Sequence, residues 1–349
     1  MASLSVELTE LDKGSLSDAG QKLASADPQV RLRAVSAIAE AGSAAADFFP
    51  HVLALARADS SLAVRQEAVR TVASIGIGGN ARQAAAALEE LVVAEEGQIR
   101  AAAARGLGAL RVVESLGLLG RLLADPQMLV REAALSAVGA FGTAGSPELQ
   151  GVVANLDVPL VRVEAIGTLG KLGPSAAGHA AALVGFLLDS DVRTRVAVAD
   201  ALLRLRSHVL DDVVDRVGEL LHHQSDRFRA TAAMAMGSLG EAKAGQHKRT
   251  LLKMLRENTI GPAALSPAFG AAIGLGRLGG QGEELLRHLA SKRPEVRAAI
   301  CEGLAEMGAE GLHYQARLME CLQDPDERIR VAAARSLNKL RDATAGKLS

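Results

Sequence analysis

Apolar positions in this chain fall at the spacing of a single helical face, and that face returns at a nearly constant interval. The segment DPQVRLRAVSAIAEAG (27–42) sets the pattern. It comes back as SLAVRQEAVRTVASIG (61–76), QMLVREAALSAVGAFG (127–142), VPLVRVEAIGTLGKLG (158–173), RPEVRAAICEGLAEMG (293–308) and DERIRVAAARSLNKL (326–340). Aligning the copies on their arginine gives anchors at Arg31, Arg65, Arg100, Arg131, Arg162, Arg195, Arg229, Arg297 and Arg330. A further copy, PAFGAAIGLGRLG, fits with Ala268 in the arginine's place. The ten anchors are spaced by about 33 residues, the length of a helical hairpin repeat.

Relative to the anchor, offsets −1, +3, +7 and +10 trace one stripe on a helix of 3.6 residues per turn. Val30, Ala34 and Ile38 occupy it in the first copy, and Val296, Ile300 and Leu304 in the ninth. Small residues at +6, such as Ala37, Gly106 and Gly274, allow neighbouring helices to approach closely. Glycine follows at +11 in seven copies (Gly42, Gly76, Gly142, Gly173, Gly240, Gly279, Gly308), where a helix end needs a left-handed residue. Asp-Pro at Asp27, Asp125 and Asp324 predicts an N-cap followed by a first-turn proline. Between these second helices lie first helices with apolar stripes of their own, for example 45–57, 80–94, 113–124 and 311–323. The predicted fold is all-α, a right-handed α-solenoid of about ten helical hairpins. It has a lead-in at 1–15, a single elongated array at 16–342 with an irregular eighth repeat at 241–280, and a tail at 343–349.

Composition agrees with such an array. Apolar residues make up 49 % of the 349, yet aromatics are 2 % and Trp is absent, so the core must be built from Ala, Leu, Val and Ile at short helix–helix distances. The net charge of −1 argues against a general nucleic-acid binder, whose affinity comes from a basic surface. The start carries acids and no basic-then-apolar signal, no run of eighteen apolar residues occurs, and Cys301 and Cys321 are too few for a disulfide framework. A cytoplasmic protein without membrane or nucleic-acid partners is the expectation.

The pattern D-x-x-V-R-x-x-A-x-x-A-L-x-x-L-G resembles the HEAT-repeat superfamily, within the armadillo-like helical class, and most closely its phycobilisome-lyase HEAT-like subgroup. That resemblance implies second helices on a concave face and first helices on a convex one. It also implies that the recurrent arginine bonds an aspartate of the adjacent hairpin. The expected structural ladder joins Asp27, Asp59, Asp125, Asp157, Asp191, Asp226 and Asp324 to the arginines that follow them: Arg31, Arg65, Arg100, Arg131, Arg162, Arg195, Arg229, Arg297 and Arg330.

Members of the subgroup include bilin-lyase subunits, di-iron hydroxylases, alkylpurine glycosylases and plain scaffolds, so the motif fixes the fold rather than the role. The hydroxylases bind iron through His-Glu pairs, and none of the eight histidines here precedes Glu. The glycosylases use Trp on a basic face, and this chain has no Trp. His222 and His223, adjacent on a helix, point about 100° apart and read as a solvated pair rather than metal ligands. The two cysteines read as inert thiols, and GLGRLGG (274–280) lies inside a helix and its cap rather than after a strand. No catalytic residue, metal or cofactor is predicted.

What remains is binding. Offsets +1, +5 and +9 lie opposite the buried stripe. They present Ser36, Glu40, Arg70, Ser74, Arg105 and Ala109, then Ser136, Ala140 and Lys171, then Asp200, Arg204, Met234, Arg277, Glu302, Glu306 and Lys339. The expectation is a non-enzymatic scaffold that takes a protein partner along its second helices, with Arg70, Arg105, Ser136, Ala140, Lys171, Asp200, Arg204, Met234 and Arg277 as candidate contacts. Participation in a larger assembly is part of that expectation. The alternatives are a bilin lyase/isomerase subunit acting on phycobiliproteins and a microtubule- or axoneme-associated array. The interrupted eighth repeat, with ENTIGPAALSP at 257–267, reads as a hinge, a contact point or a degenerate copy.

Overall fold

The computed structural model describes residues 10–257 and 266–345; most of the irregular stretch 257–267 lies outside the described residues. The described chain is helical throughout, a stack of hairpins of the solenoid kind. It divides into two compact units, Met1–Leu172 and Gly173–Ser349. Each unit holds five of the ten anchors.

In the first unit the second helices are Pro28–Ala41, Leu62–Gly76, Gly97–Leu110, Met128–Ala140 and Arg162–Leu172. In the second they are Val192–Leu205, Asp226–Ser238, Pro267–Leu278, Pro294–Ala305 and Glu327–Ala345. First helices are shorter, such as Phe49–Ala58, Ala81–Glu89 and Lys248–Arg256. Several are entered through a tight 3-10 turn, as at Gly42–Phe48 and Gly142–Glu148. The stripe positions Ala34, Ile38, Val64, Val72, Leu107, Val138, Leu169, Leu202 and Leu304 are all buried, which removes the apolar face of each second helix from water.

Helix ends follow the glycine column with one shift and one exception. Gly42, Gly142, Gly173, Gly240, Gly279 and Gly308 all have positive φ. Gly76 does not: it is the last residue of its helix, and Gly78 takes the left-handed position two residues later. In the third repeat the +11 position is Arg111, at φ +53 and the sole non-glycine residue at positive φ among those described.

The capping expectation holds at Asp27, which sits at the N-cap and accepts from the Gln29 amide at 2.8 Å, with Pro28 behind it. At Asp125 and Asp324 it is corrected. These residues stand six rather than four positions before their arginines, two residues too early to cap. Each accepts instead from the amide two residues on, Gln127 and Asp326 respectively, at 2.9 Å. That short turn leaves the carboxylate turned toward the preceding hairpin.

The ladder is built on this position. Arg31 reaches forward to Asp59 with two parallel bonds, Nε to Oδ2 at 2.7 Å and Nη2 to Oδ1 at 2.8 Å. Arg100 grips Asp125 in the same way at 2.8 and 2.9 Å, and Arg297 grips Asp324 at 3.2 and 3.0 Å. The remaining nitrogen of each guanidinium, Nη1, donates backward to the carbonyl six residues before it: Ser25, Ala94 and Ser291. One planar fork thus ties the turn inside its own hairpin to the turn of the next. The fork holds the Asp59 and Asp324 carboxyls below the usual carboxylate range. At Asp125 burial works to raise the carboxyl, but hydrogen bonds from Arg100 and the Gln127 amide outweigh it and leave it lowered.

Elsewhere the expected acids do other work. Asp191 caps its helix and pairs with Arg193, two residues away. Asp226 pairs with Arg229 inside one helical turn, and Arg229 reaches forward to Glu257 at 2.9 Å. Arg65 uses Glu96 of the next turn and the Asp59 carbonyl, while Arg131 and Arg162 donate to the Asp125 and Leu156 carbonyls. Arg330 donates to the Asp324 carbonyl. Asp157 is exposed. Arg195 is 1 % exposed, donates to the Asp189 and Ser190 carbonyls, and lies 5.5 Å from the Phe228 ring centre. The residue six before the next anchor is His223 rather than Asp, so an aromatic face stands where other junctions have a carboxylate. Burial lowers the Arg195 pKa accordingly.

The eighth repeat keeps its neighbours by a different means. Its second helix, Pro267–Leu278, carries Gly270, Gly274 and Gly276. A Cβ at Gly270 would fall on the Ala230 carbonyl, one at Gly274 on the Ala233 carbonyl, and one at Gly276 on the Gly303 carbonyl. Gly237 and Gly303 answer from the flanking helices, facing Gly274 and Ala272. The helices on both sides touch backbone to backbone. Where the arginine is missing, Arg293 of the ninth repeat donates back to the Leu255 and Glu257 carbonyls.

Candidate partner-binding grooves

Side chains at the offsets opposite the buried stripe line open grooves in each unit. In the first unit a groove of about 760 Å³ runs along the second helices of repeats 1 to 3. Its wall includes Ser36, Glu40, Arg70, Ser74, Arg105 and Ala109. Arg70 is exposed but already engaged, with Nη2 at 2.5 Å from Glu67. Glu67 in turn accepts from the Ser36 hydroxyl. Arg105 is exposed and also borders a smaller hollow of about 320 Å³ with Gly108, Ala109, Arg111, Ser136, Ala137 and Ala140. Lys171, at the end of this unit, is exposed and 3.8 Å from Glu164.

The second unit's groove, about 1010 Å³, mixes larger apolar side chains, Val192, Val196, Leu203, Met234, Phe269 and Ile273, with charged ones such as Asp200, Glu302 and Lys339. Arg204 is exposed on its rim. Two expectations are corrected here. Met234 is 8 % exposed rather than outward-facing, because the glycine-mediated approach of the Pro267–Leu278 helix closes over that face. The Arg277 side chain is 6 % exposed and fully engaged: Nη2 to Asp200 at 2.6 Å, Nη1 to the Ser238 hydroxyl at 2.9 Å, and Nε to Glu306 at 3.0 Å. It braces three second helices and offers no free charge to a partner. Lys339 adds a contact to Glu306 at 2.5 Å. Burial presses the Glu306 carboxyl upward, but the charges of Arg277 and Lys339 outweigh it and hold it low. Glu302, nearby, is raised by burial despite Arg335 and Lys339.

The remaining candidates for chemistry resolve into packing. His223 accepts from the Ser225 amide and sets its ring edge against Phe228. Cys301 is buried with its thiol pushed up by Cys321 and by burial. Among the described residues no group of three or more metal-ligating side chains gathers, and no helix is long and apolar enough to cross a membrane.

Sequence reasoning passed over Arg111 and Phe269. Arg111 was visible as the exception in the glycine column, and Phe269 stands at +1 of its repeat, on the face already identified.

Comparison with known proteins agrees with this architecture. A family model described as HEAT repeats matches residues 16–100, 86–157 and 270–348. The chain belongs to the HEAT-repeat family. The match is to these repeats as a whole and does not distinguish the phycobilisome-lyase subgroup. No curated protein matches the chain. Among solved structures, an engineered protein is 18 % identical, with a TM-score of 0.48 over 93 % of this chain and 98 % of its own. The karyopherin Kap121p, bound to the extreme C-terminus of the protein phosphatase Cdc14p, is 12 % identical, with a TM-score of 0.48. That alignment covers 96 % of this chain and 43 % of the karyopherin.

Proposed function

We propose that this HEAT-repeat chain is a non-enzymatic scaffold that holds a protein partner along its second helices. The observation that supports it is the pair of open grooves, one in each unit, whose walls include exposed side chains such as Arg70, Arg105 and Arg204 on second helices. Ala39, Ala63, Ala102, Gly106 and Ala109 form a low floor in the first, with charged side chains along its borders. Such a floor admits the backbone of an extended peptide or the face of a helix, and the borders give register. The family's repeats commonly serve this purpose, since a stack of hairpins presents long, regular surfaces at little cost to its own stability.

Photo-crosslinking tests the reading. A benzophenone amino acid placed at Ser136 or Arg204, on second helices, is expected to give discrete adducts in native extract. The same group at Arg82 or Arg317, on first helices, is expected to give none. Adducts confined to the first-helix positions would overturn the assignment of the binding face.

A further inference from the structure

We infer that the hollow between Arg105 and Arg111 is an anion-binding subsite that takes a carboxylate side chain of an acidic peptide segment. The inference rests on the scaffold reading above and names the chemistry of the partner at one place in it.

Three observations converge. The first is charge without an answer. Most arginines of the ladder and the groove walls are held by a carboxylate or a carbonyl: Arg31, Arg65, Arg70, Arg100 and Arg131 all are. The Arg105 and Arg111 side chains have no hydrogen bond or ion pair with any described residue, and no acidic residue lines their hollow. The second is shape. Between them lie Gly108, Ala109, Ala137 and Ala140, with Ser136 as a hydroxyl at the rim. A floor this low lets a ligand's side chain come between two guanidiniums, whose planar forks match a carboxylate.

The third is backbone conformation. Arg111 occupies the left-handed position that glycine holds in six other repeats, at φ +53. An L-residue there is disfavoured by steric contact of its Cβ with the following carbonyl. A cation at a helix C-terminus is favourable in itself, but that benefit does not require the left-handed site. A side chain kept where the fold would do better with none is a side chain with another task.

The subsite opens beside Arg105 onto the larger groove, which Glu40 borders at its other end, while the Glu67 carboxylate between them is already paired with Arg70. An extended segment lying along repeats 1 to 4 therefore meets acid at one end and unpaired arginine at the other. Charge complementarity places the acidic part of the segment at repeats 3 and 4.

The test uses the full chain and a fluorescein-labelled nonapeptide of alternating Glu and Ala, read by anisotropy at low ionic strength. A Gln/Ala counterpart serves as the neutral control. The Glu peptide is expected to bind about tenfold more tightly than the Gln peptide. R105Q and R111G should each weaken it severalfold, while R121Q, which removes the same charge from the exposed face of the first helix Leu116–Leu122, leaves it unchanged. R111G should also raise the melting temperature slightly, because glycine relieves the left-handed backbone; lost binding in a more stable protein excludes misfolding as the cause. Equal affinity for the two peptides, no saturable binding of the Glu peptide, or equal weakening by R121Q would each overturn the subsite. Should the peptide fail while crosslinks still arise at Ser136, the subsite falls and the scaffold reading stands. Should crosslinks arise only at first helices while the peptide binds, the reverse holds.

Discussion

Repeats 1 to 4 and repeats 7 to 9 hold adjacent hairpins together by different physics. In the first region the contact is a directed one: a guanidinium in one hairpin grips an aspartate in the next turn, as Arg31 does Asp59 and Arg100 does Asp125. In the second, Arg229 still reaches Glu257, but the repeat that follows has Ala268 where the arginine belongs. Its helix is wedged between its neighbours by Gly237, Gly270, Gly274, Gly276 and Gly303. A charged fork can be hydrated when it breaks and tolerates small shifts. Two backbones in van der Waals contact tolerate neither a methyl group nor a slide. The interrupted repeat, which the sequence left open as a hinge, is in its second helix a tightly packed part of the molecule.

The largest effect is therefore expected from Gly276→Val. The new side chain would fall on the Gly303 carbonyl, a backbone atom that cannot rotate away. Overpacking costs about 1–3 kcal/mol and occasionally more, and a clash with backbone belongs at the top of that range, about 3 kcal/mol. Hydrogen exchange should show lost protection in the second helices Asp226–Ser238, Pro267–Leu278 and Pro294–Ala305, with residues 28–140 unaffected. Unchanged protection in those three helices would mean that the glycines are incidental to the packing.

A smaller effect is expected from Asp125→Ala. Arg100 would lose both forward bonds but keep its two carbonyls, Ala94 and Glu95, and would gain water. Full loss of a buried pair costs about 3–5 kcal/mol, and partial hydration brings the expectation here to about 2 kcal/mol. The loss should be confined to repeats 3 and 4. It should shrink when Arg100 is already replaced by Ala, since the cycle then removes an aspartate with nothing to hold. An equal cost in both backgrounds would show that Asp125 acts through its turn alone.

The same contrast explains which parts of the molecule the sequence made legible. The stripe offsets located every second helix because apolar burial obeys helical period whatever lies on the other face. The ladder was half legible. Asp27 and Asp125 both precede an arginine, and nothing in composition separates an acid four residues ahead, which caps its own helix, from one six ahead, which reaches the neighbour. Asp189, at that sixth position, was passed over in favour of Asp191 for this reason. Met234 and Arg277 were placed outward because the offset rule assumes equal spacing between helices, and glycine shortens the spacing there. Arg111 was legible in principle, as a charged residue in a column of glycines.

The smallest separation between the two regions should appear in acid. Asp59 and Asp125 have carboxyls held below their ordinary value, so they bind protons less readily folded than unfolded. Their contribution is fully present above the ordinary carboxylate pKa, about 4, and is lost as pH falls through the lower folded values. Around repeats 8 and 9 the balance differs. The glycine contacts do not titrate, and Glu302, raised by burial, is relieved rather than harmed by protonation, which offsets part of what Glu306 loses. On lowering the pH from 5 toward 3, hydrogen exchange corrected for its intrinsic pH dependence should show the turns at 58–62 and 124–128 opening before the helices of 267–305. Simultaneous opening would mean that the two regions share one cooperative unit despite their different contacts. Earlier opening of 267–305 would mean that Arg277's network, rather than the glycine packing, holds those helices in place.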